Sequence, residues 1–181
     1  MSAAQGKFLH LLARIQGARR ILEVGTLGGY STIWLARALP EGGQVVTLEF
    51  DPKHAEVARA SIARAGFGGM VDIRIGRAID TLPTLAGGEP FDLVFIDADK
   101  PSTTAYFNWA MKLSRPGTVI VIDNVVRNGG IVDPTADADA QAMRDFLAAL
   151  GDDRRVDATA LQTVGIKGYD GFAIAIVATP V

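Results

Sequence analysis

Two short segments of the sequence carry side chains that could do metal chemistry. Asp97 ends the apolar run FDLVFI, and Asp123 and Asn124 end the run TVIVI. If these runs are neighbouring strands, the side chains meet in a small volume, where two carboxylates repel each other unless a cation lies between them. Oxygen ligands without histidine or cysteine favour Mg²⁺, Mn²⁺ or Ca²⁺. We therefore predict that Asp97, Asp123 and Asn124 bind a hard divalent cation.

Lys100 lies three residues after Asp97 and is the candidate general base. A lysine amine beside a metal-held hydroxyl can remove its proton. A simpler interpretation is that Asp97 and Asp99 cap the next helix and that Lys100 forms a surface ion pair. That interpretation leaves Asp123 and Asn124 unexplained, so we favour the metal site.

A glycine-rich turn, GTLGG, follows the first apolar run. Its spacing, G-x-x-G-G, is not the G-x-G-x-x-G of dinucleotide folds, so it predicts a site for a smaller charged group or a purely structural turn. Ser31 and the N–H groups of the next helix could hold a carboxylate. Glu23 lies in the apolar run itself and needs a partner there, either a ligand ammonium, a backbone amide or a lysine.

Glu49 ends the second apolar run. Its two acceptor oxygens suit the two hydroxyls of a ribose, a feature shared by nicotinamide and S-adenosylmethionine enzymes. The residue therefore predicts a nucleoside cofactor without naming the reaction. Phe50 could flank an adenine or pack in the core, and we favour packing.

All these positions lie at the ends of predicted strands. Apolar runs rich in Val and Ile alternate with helical patterns, which predicts an α/β fold with a doubly wound, mostly parallel sheet. The predicted strands are Arg20–Val24, Gln44–Phe50, Val71–Ile75, Phe91–Ile96, Thr118–Ile122, Val156–Thr163 and Phe172–Ala178. The predicted helices are Tyr30–Leu39, Pro52–Ala65, Ala78–Leu85, Thr103–Leu113 and Ala138–Leu150. The last two runs, joined only by the loop Val164–Gly171, should form an antiparallel pair. Ligands bind such sheets at the carboxyl ends of the strands.

Composition excludes several classes of function. The 181 residues suffice for one domain, and a net charge of −2 gives no reason to expect nucleic acid or an anionic membrane as a partner. The absence of cysteine rules out disulfides and thiolate chemistry and fits a cytoplasmic location. No apolar run approaches the ~20 residues of a membrane span. The first residues lack a signal-peptide pattern and predict an amphipathic helix with Phe8, Leu11, Leu12 and Ile15 on one face.

Several other polar or aromatic residues are expected to have no role in the chemistry. His10 and His54 should be surface or hydrogen-bonded helix positions, because neither has a ligand-like partner one helical turn away. Trp34 and Trp109 should pack between helices, although Trp109 or Tyr106 could reach an acceptor pocket. A solvated loop is expected for Lys167, Tyr169 and Asp170.

Five segments together resemble a known family. EVGTLGGYSTIWLA, VVTLEFDP, FDLVFIDADK, PGTVIVIDN and VGIKGYDGFAIA are similar to segments of the class I, cation-dependent O-methyltransferases, which include catechol, caffeoyl-CoA and bacterial enzymes. The resemblance runs from Ala4 to Val177, and IDADK with the later IDN is its most specific part. It implies a Rossmann-like sheet of seven strands with an antiparallel last strand, helices on both faces, and a homodimer.

The resemblance also implies roles for individual residues. The methionine end of S-adenosylmethionine would contact Glu23, Gly25, Thr26, Tyr30 and Ser31. Glu49 would bind its ribose, Ala78 would lie near the adenine, and Asp97 and Asp99 would also reach the cofactor. Mg²⁺ would be held by Asp97, Asp123 and Asn124, with Lys100 as the base. The implied substrate is a small phenolic vicinal diol, which can chelate the ion through both oxygens.

The sequence differs from this family in two places. Arg77 stands where relatives often have an acid or a small residue, on the expected adenine side. The second difference is at the N-terminus. Relatives carry a further N-terminal segment that covers the cofactor and acceptor sites, whereas Met1 here stands near the end of that cover. We expect either a trimmed or misassigned start, or an open acceptor site with reduced or relaxed activity. Two alternatives to the methyltransferase remain: a scaffold that binds S-adenosylmethionine without turnover, and an NAD-dependent oxidoreductase on a related sheet.

Overall fold

The structure, a computed structural model, describes residues 1–165 and 168–179. The strands are β1 (Arg20–Val24), β2 (Gln44–Glu49), β3 (Val71–Ile75), β4 (Phe91–Ile96), β5 (Ser114–Asp123), β6 (Val156–Gly165) and β7 (Gly168–Val177). The helices are α1 (Ala3–Ile15), α2 (Tyr30–Ala36), α3 (Pro52–Arg64), α4 (Ala78–Thr81), α5 (Thr103–Lys112) and α6 (Ala138–Asp152).

Within these described ranges, the strands form one seven-stranded sheet in the order β3-β2-β1-β4-β5-β7-β6. The pairs among β1 to β5 are parallel, and β7 runs antiparallel to both β5 and β6. This arrangement confirms the predicted doubly wound sheet with an antiparallel strand near one edge. The strand order reverses between β1 and β4, so a crevice opens beyond their carboxyl ends.

The apolar character of the central strands follows from burial on both faces. Leu22 and Val94 belong to a core that includes Phe146 of α6, whereas Ile21 and Leu93 belong to a second core on the opposite face, with residues of α1 and α2. Because successive side chains point to opposite faces, β1 and β4 need apolar residues at nearly every position. These two cores fix the strand ends that carry the candidate site.

The predicted apolar face of α1 is only partly confirmed, since Phe8 and Leu12 pack against the second core. Leu11 and Ile15 are exposed, at 46% and 83%, whereas Leu9 and His10 are buried. The helix lies close to α2, where Gly6 leaves space for the ring of Trp34. A glycine contact is invisible to a search for apolar periodicity.

His10 was also predicted incorrectly. It is buried against Trp34, and its Nδ1 atom has no hydrogen-bond partner among the described atoms. Burial and the nearby Lys7 lower the pKa of His10. Trp34 packs between helices, as predicted.

Element boundaries differ most at the sheet edge. The predicted loop Val164–Gly171 is largely strand, since β6 reaches Gly165 and β7 begins at Gly168. Polar residues such as Thr163 and Asp170 pair in this part of the β6–β7 hydrogen-bond ladder. An apolar pattern in the sequence therefore does not reveal these strand residues. The prediction for Lys167 lies outside the described residues.

The predicted helix Ala78–Leu85 divides near Pro83 into α4 and a 3₁₀ turn, Leu82–Leu85. In the part of the chain that the structure describes, no helix is both long and apolar enough to cross a membrane.

Candidate active site

A cleft of about 810 Å³ lies at the carboxyl ends of β1, β2 and β4. Its lining includes eight of the nine residues predicted to bind the cofactor, namely Gly25, Thr26, Tyr30, Ser31, Glu49, Ala78, Asp97 and Asp99. This volume falls in the range of small-molecule sites, about 300–1,000 Å³. The structure therefore brings these side chains to one place, although their contacts with a cofactor stay predictions.

The glycine turn shapes the floor of this cleft. Gly25 has φ +97°, and a Cβ atom there would collide with the backbone carbonyl of Asp97 at the end of β4. Only glycine combines that conformation with so close an approach. The turn thus lets the ends of β1 and β4 lie side by side.

Glu49 is held by backbone donors at the edge of the cleft. Its Oε2 atom accepts from the N–H groups of Thr26 (3.2 Å) and Leu27 (2.7 Å), and Oε1 accepts from Asp51 N–H (2.9 Å). His54 Nδ1 lies 3.5 Å from Oε1. A carboxylate has about four lone-pair sites, so few remain for a ribose hydroxyl. The ribose role stays a prediction.

Glu23 is the one predicted cofactor residue that does not line the cleft. It is completely buried, and its Oε2 atom accepts from the hydroxyls of Thr32 (2.5 Å) and Thr47 (2.6 Å). We had expected a ligand ammonium, a backbone amide or a lysine as its partner, and the structure gives two threonines instead. Burial raises the pKa of Glu23 to about 7.

Asp99 is tied to α5 by Tyr106. The phenol donates to Asp99 Oδ1 at 2.5 Å, and both residues line the cleft. Burial raises the pKa of Asp99, but hydrogen bonds from Ser102 and Tyr106 outweigh it and leave the pKa below its ordinary value. Burial and the Asp99 carboxylate raise the pKa of Tyr106 to about 12. The pair therefore stays an ionised acid and a neutral phenol at neutral pH.

Phe50 was misjudged from the sequence. We favoured packing for it, but it is 71% exposed and lines the cleft. His54 is an exposed helix position, as predicted, and it also lines the cleft. Both residues come shortly after β2, which ends at the crevice, so their closeness to Glu49 in the sequence was the available signal.

The predicted metal ligands meet at the ends of β4 and β5. Register pairs Ile96 with Ile122, so Asp97 and Asp123 follow neighbouring strand positions. Lys100 Nζ donates to Asp97 Oδ1 (3.2 Å) and to the backbone oxygen of Asp123 (3.3 Å). Lys100 is buried between the two strand ends rather than forming a surface ion pair.

The electrostatics at this point suit a cation. Burial and the nearby Asp97 carboxylate raise the pKa of Asp123 to about 6. A second positive charge would relieve that repulsion. Among the described residues, no cluster of three His, Cys, Asp or Glu side chains suits a metal ion, so any site here must use the amide of Asn124 with the two carboxylates. Such a set of hard oxygen donors fits Mg²⁺ or Mn²⁺.

Asn124 is oriented by a residue that sequence reasoning missed. Its Nδ2 atom donates to Asp170 Oδ2 (3.2 Å). Asp170 was expected in a solvated loop, but it is half-buried at the start of β7. Tyr169 likewise donates to the backbone oxygen of Asn128 (2.6 Å). The missed signal was that an antiparallel strand beside β5 must begin near Asp123 and Asn124, where that strand ends.

A second cleft of about 640 Å³ adjoins Asn124. Its walls come from the start of α1 and from the facing ends of β6 and β7, with Phe8, Tyr169 and Phe172 among the aromatic side chains. Met1 lines both clefts. Asp97 thus lines the first cleft, and Asn124, the residue after Asp123, lines the second.

Comparisons with known proteins agree with this geometry. A family model described as O-methyltransferase matches residues 1–175. The chain is 61% identical over 177 residues to a catechol O-methyltransferase of Mycobacterium tuberculosis, covering 98% of this chain and 80% of that protein. It is 58% identical over 180 residues to a catechol O-methyltransferase of Niastella koreensis, covering 98% of this chain and 81% of the relative.

Solved structures give the same result. An O-methyltransferase from Bacillus cereus in complex with SAH superposes with a TM-score of 0.94 at 58% identity, covering 98% of this chain and 82% of the other. The O-methyltransferase TomG from Streptomyces achromogenes in complex with SAM superposes with a TM-score of 0.95 at 55% identity. The match covers 99% of this chain and 82% of the other. The chain belongs to the O-methyltransferase family.

Proposed function

We propose that this protein transfers a methyl group from S-adenosylmethionine to one hydroxyl of a catechol-like phenol, with Mg²⁺ or a similar divalent ion. The observation that carries the proposal is the convergence of Asp97, Lys100 and Asp123 at the ends of β4 and β5, where Asp97 also lines the larger cleft. Two relatives at about 60% identity are catechol O-methyltransferases, which supports the substrate class.

The larger cleft is the proposed donor site. Its floor is the glycine turn, and its rim carries Glu49, Asp99 and exposed Phe50. Backbone amides hold the Glu49 carboxylate and Tyr106 holds that of Asp99, so both acids are fixed before a ligand binds. Fixed acceptors lose little conformational freedom on binding. The expected result is a donor held with its sulfonium towards Asp97.

The smaller cleft is the proposed acceptor site. Aromatic side chains from Phe8, Tyr169 and Phe172 suit a phenolic ring, and Asn124 lies at its inner end. A diol there would face the donor across Asp97 and Asp123. The fold would hold the donor methyl and the acceptor hydroxyl in line. This alignment is the largest contribution that the fold can make, because it makes a reaction between two molecules effectively unimolecular.

Asp97, Asp123 and the amide oxygen of Asn124 would hold the ion. When bound, a divalent ion supplies Lewis acidity that lowers the pKa of the acceptor hydroxyls. Lys100 Nζ then takes the proton from the hydroxyl oxygen as a general base. The oxygen forms a bond to the methyl carbon while the sulfur–carbon bond breaks, and the sulfur keeps the electron pair. The products are a methyl ether and S-adenosylhomocysteine.

Mass spectrometry of a reaction mixture tests the proposal. The protein is incubated with S-adenosylmethionine, catechol and Mg²⁺, with and without a chelator. We expect a monomethylated product that disappears with the chelator and returns when Mg²⁺ is added in excess. Product formation that resists chelation would overturn the metal dependence. No product with any diol would instead support the scaffold alternative.

We also propose that the protein is a homodimer. The pair β6–β7 exposes several apolar side chains, including Leu161, Val164 and Tyr169, and Val164 is 85% exposed. Sedimentation equilibrium should give twice the chain mass. The Val164→Lys variant should dissociate, whereas the control Val57→Lys on α3 should not. A monomeric wild-type protein would contradict the proposal.

A further inference from the structure

Asp170 connects β7 to the loop that follows β5. Its Oδ1 atom accepts from the N–H groups of Val126 (3.1 Å), Arg127 (3.0 Å) and Gly171 (2.9 Å). Its Oδ2 atom accepts from Asn124 Nδ2 (3.2 Å). One carboxylate thus uses one oxygen for the backbone and the other for the side chain of a proposed metal ligand.

The loop that Asp170 holds is conformationally strained. Asn124, Arg127 and Asn128 all have positive φ, at 60°, 54° and 52°. Non-glycine residues adopt such a conformation at a cost in free energy and keep it only when their surroundings impose it. The hydrogen bonds that Asp170 accepts from Val126 and Arg127 N–H, and the one that Tyr169 donates to the Asn128 backbone oxygen, are the contacts that impose it.

The orientation of the Asn124 amide follows from the charge of Asp170. An amide has a donor end and an acceptor end, whereas an ionised carboxylate only accepts. The NH₂ group must therefore face Asp170, and the amide oxygen is left to face elsewhere. Only that oxygen, and not the NH₂ group, can bind a cation.

We infer that Asp170 is a positioning residue that turns the amide oxygen of Asn124 towards the divalent ion. This inference rests on the proposed metal dependence. Asp170 acts through Asn124 rather than by touching the ion, since its two oxygens already accept four hydrogen bonds. Partners of this kind typically alter metal affinity about 10- to 100-fold when removed.

The variant Asp170→Asn separates the two tasks of the side chain. The new amide oxygen can replace Oδ1 and accept from the backbone, so the loop keeps its support. The new NH₂ group cannot accept from Asn124, so the Asn124 amide must rotate and present its NH₂ group to the ion. Mn²⁺ affinity, measured by electron paramagnetic resonance without donor or acceptor, should fall about 10- to 100-fold. Binding of S-adenosylhomocysteine, measured by calorimetry, should change less than about twofold, since the donor cleft does not include Asp170.

The double variant Asn124→Asp with Asp170→Asn exchanges the two side chains. It keeps an amide-to-carboxylate hydrogen bond between these positions, with the donor now at position 170. The new amide at position 170 then donates its NH₂ group to the new carboxylate at position 124, whose other oxygen faces the ion. We expect Mn²⁺ binding at least as tight as in the wild type. Because the exchange keeps the net charge and the number of hydrogen bonds, its affinity decides the question even if Asp170→Asn alone unfolds. The control Asp157→Asn, on the exposed strand β6, should bind Mn²⁺ like the wild type.

The outcomes distinguish this inference from the proposed function. A wild-type protein that binds no Mn²⁺ would overturn both. A wild type that binds Mn²⁺, together with an equal affinity in Asp170→Asn, would overturn only the positioning role. An exchange variant that stays as weak as Asp170→Asn would also overturn it, since the orientation of the side chain at position 124 would then not control binding.

Discussion

Two glutamates at adjacent strand ends show how the environment of a residue sets its role. Glu49 is surrounded by backbone N–H groups, which solvate its charge at the rim of the cleft. Glu23 is fully buried with two threonine hydroxyls, and its Oε1 atom has no hydrogen-bond partner among the described atoms. Hydroxyls compensate a buried charge less well than several amide dipoles do. Glu49 is thus a fixed carboxylate at the rim of the cleft, while Glu23 is a buried group that resists ionisation.

The buried position of Glu23 predicts a pH-dependent loss of stability. Its pKa of about 7 in the folded state exceeds the ordinary value of 4.5, so the folded protein binds this proton more tightly than the unfolded chain. The stability that this tighter proton binding contributes is therefore fully present below pH 4.5 and is lost as the pH rises to about 7. The variant Glu23→Gln keeps an acceptor for both threonines and does not ionise, and should gain up to about 3 kcal/mol over the wild type between about pH 5 and pH 8.

Urea unfolding of both proteins at the two pH values measures this effect. The control Glu41→Gln removes the same charge from an exposed loop and should show no such change. A difference between wild type and Glu23→Gln that is the same at both pH values would contradict the prediction.

Lys100 permits a test of the base that is separate from metal binding. The variant Lys100→Met keeps most of the buried volume but removes the amine, and we expect kcat to fall about 10²- to 10⁴-fold. Mn²⁺ binding should not weaken, because the variant removes a positive charge from beside Asp97. Initial rates and Mn²⁺ titration measure the two effects. Activity within about tenfold of the control Lys112→Met, an exposed lysine on α5, would remove Lys100 from the mechanism.

Sequence reasoning located the residues that end strands and missed those that support them. Three acids, Asp97, Asp123 and Glu49, were found because a carboxylate at the end of a buried apolar run costs free energy unless it has a binding partner. The partner of Asn124, by contrast, is Asp170, which is 46 residues away and comes from an antiparallel strand. Nothing in local composition distinguishes it from a solvated loop acid.

At the scale of elements, the turn between β1 and α2 joins fold and site. The variant Gly25→Ala would place a Cβ atom against the Asp97 carbonyl at φ +97°. The backbone conformation alone should cost about 1–3 kcal/mol, and the contact adds to it. The control Gly28→Ala lies in the same turn with no atom within 4 Å of its Cβ and should change stability by less than about 0.5 kcal/mol.

Denaturant unfolding without cofactor or metal compares these two glycine variants, so that ligand contacts do not contribute. Equal stability of Gly25→Ala and the wild type would show that the ends of β1 and β4 can separate freely. The predicted role of Gly25 in shaping the cleft would then be wrong.

The central strands could be predicted closely, and the sheet edge formed by β6 and β7 could not. The bounds of β1 and β4 match their apolar runs, because central parallel strands need apolar side chains throughout. The opposite edge strand, β3, also matches, because its sequence VDIRI alternates apolar and polar residues. At the edge, β6 is mostly exposed and alternates little, so hydrogen bonding rather than burial sets its length. The buried face of α1 was only partly predicted, since the small residues Gly6 and Ala13 lie buried on it beside Leu9 and His10.

At the scale of the whole molecule, the cleft proposed for the donor joins segments from across the first 106 residues of the chain. Its lining runs from Met1 through the ends of β1, β2, β3 and β4 to Tyr106. No unfolded chain can assemble such a site, so a ligand that binds there stabilises the folded state as a whole. At a concentration of about 100 Kd, S-adenosylhomocysteine should add about 2.7 kcal/mol and raise Tm by roughly 5–10 °C.

NAD provides the matched comparison for this whole-molecule effect. It shares the adenosine of the donor, but its pyrophosphate needs the G-x-G-x-x-G cradle that the turn at Gly25 lacks. Thermal unfolding with NAD at the same concentration should therefore leave Tm unchanged. A rise in Tm with NAD and none with S-adenosylhomocysteine would favour the oxidoreductase. The protein would then recognise the pyrophosphate of an adenosine ligand rather than its amino-acid side.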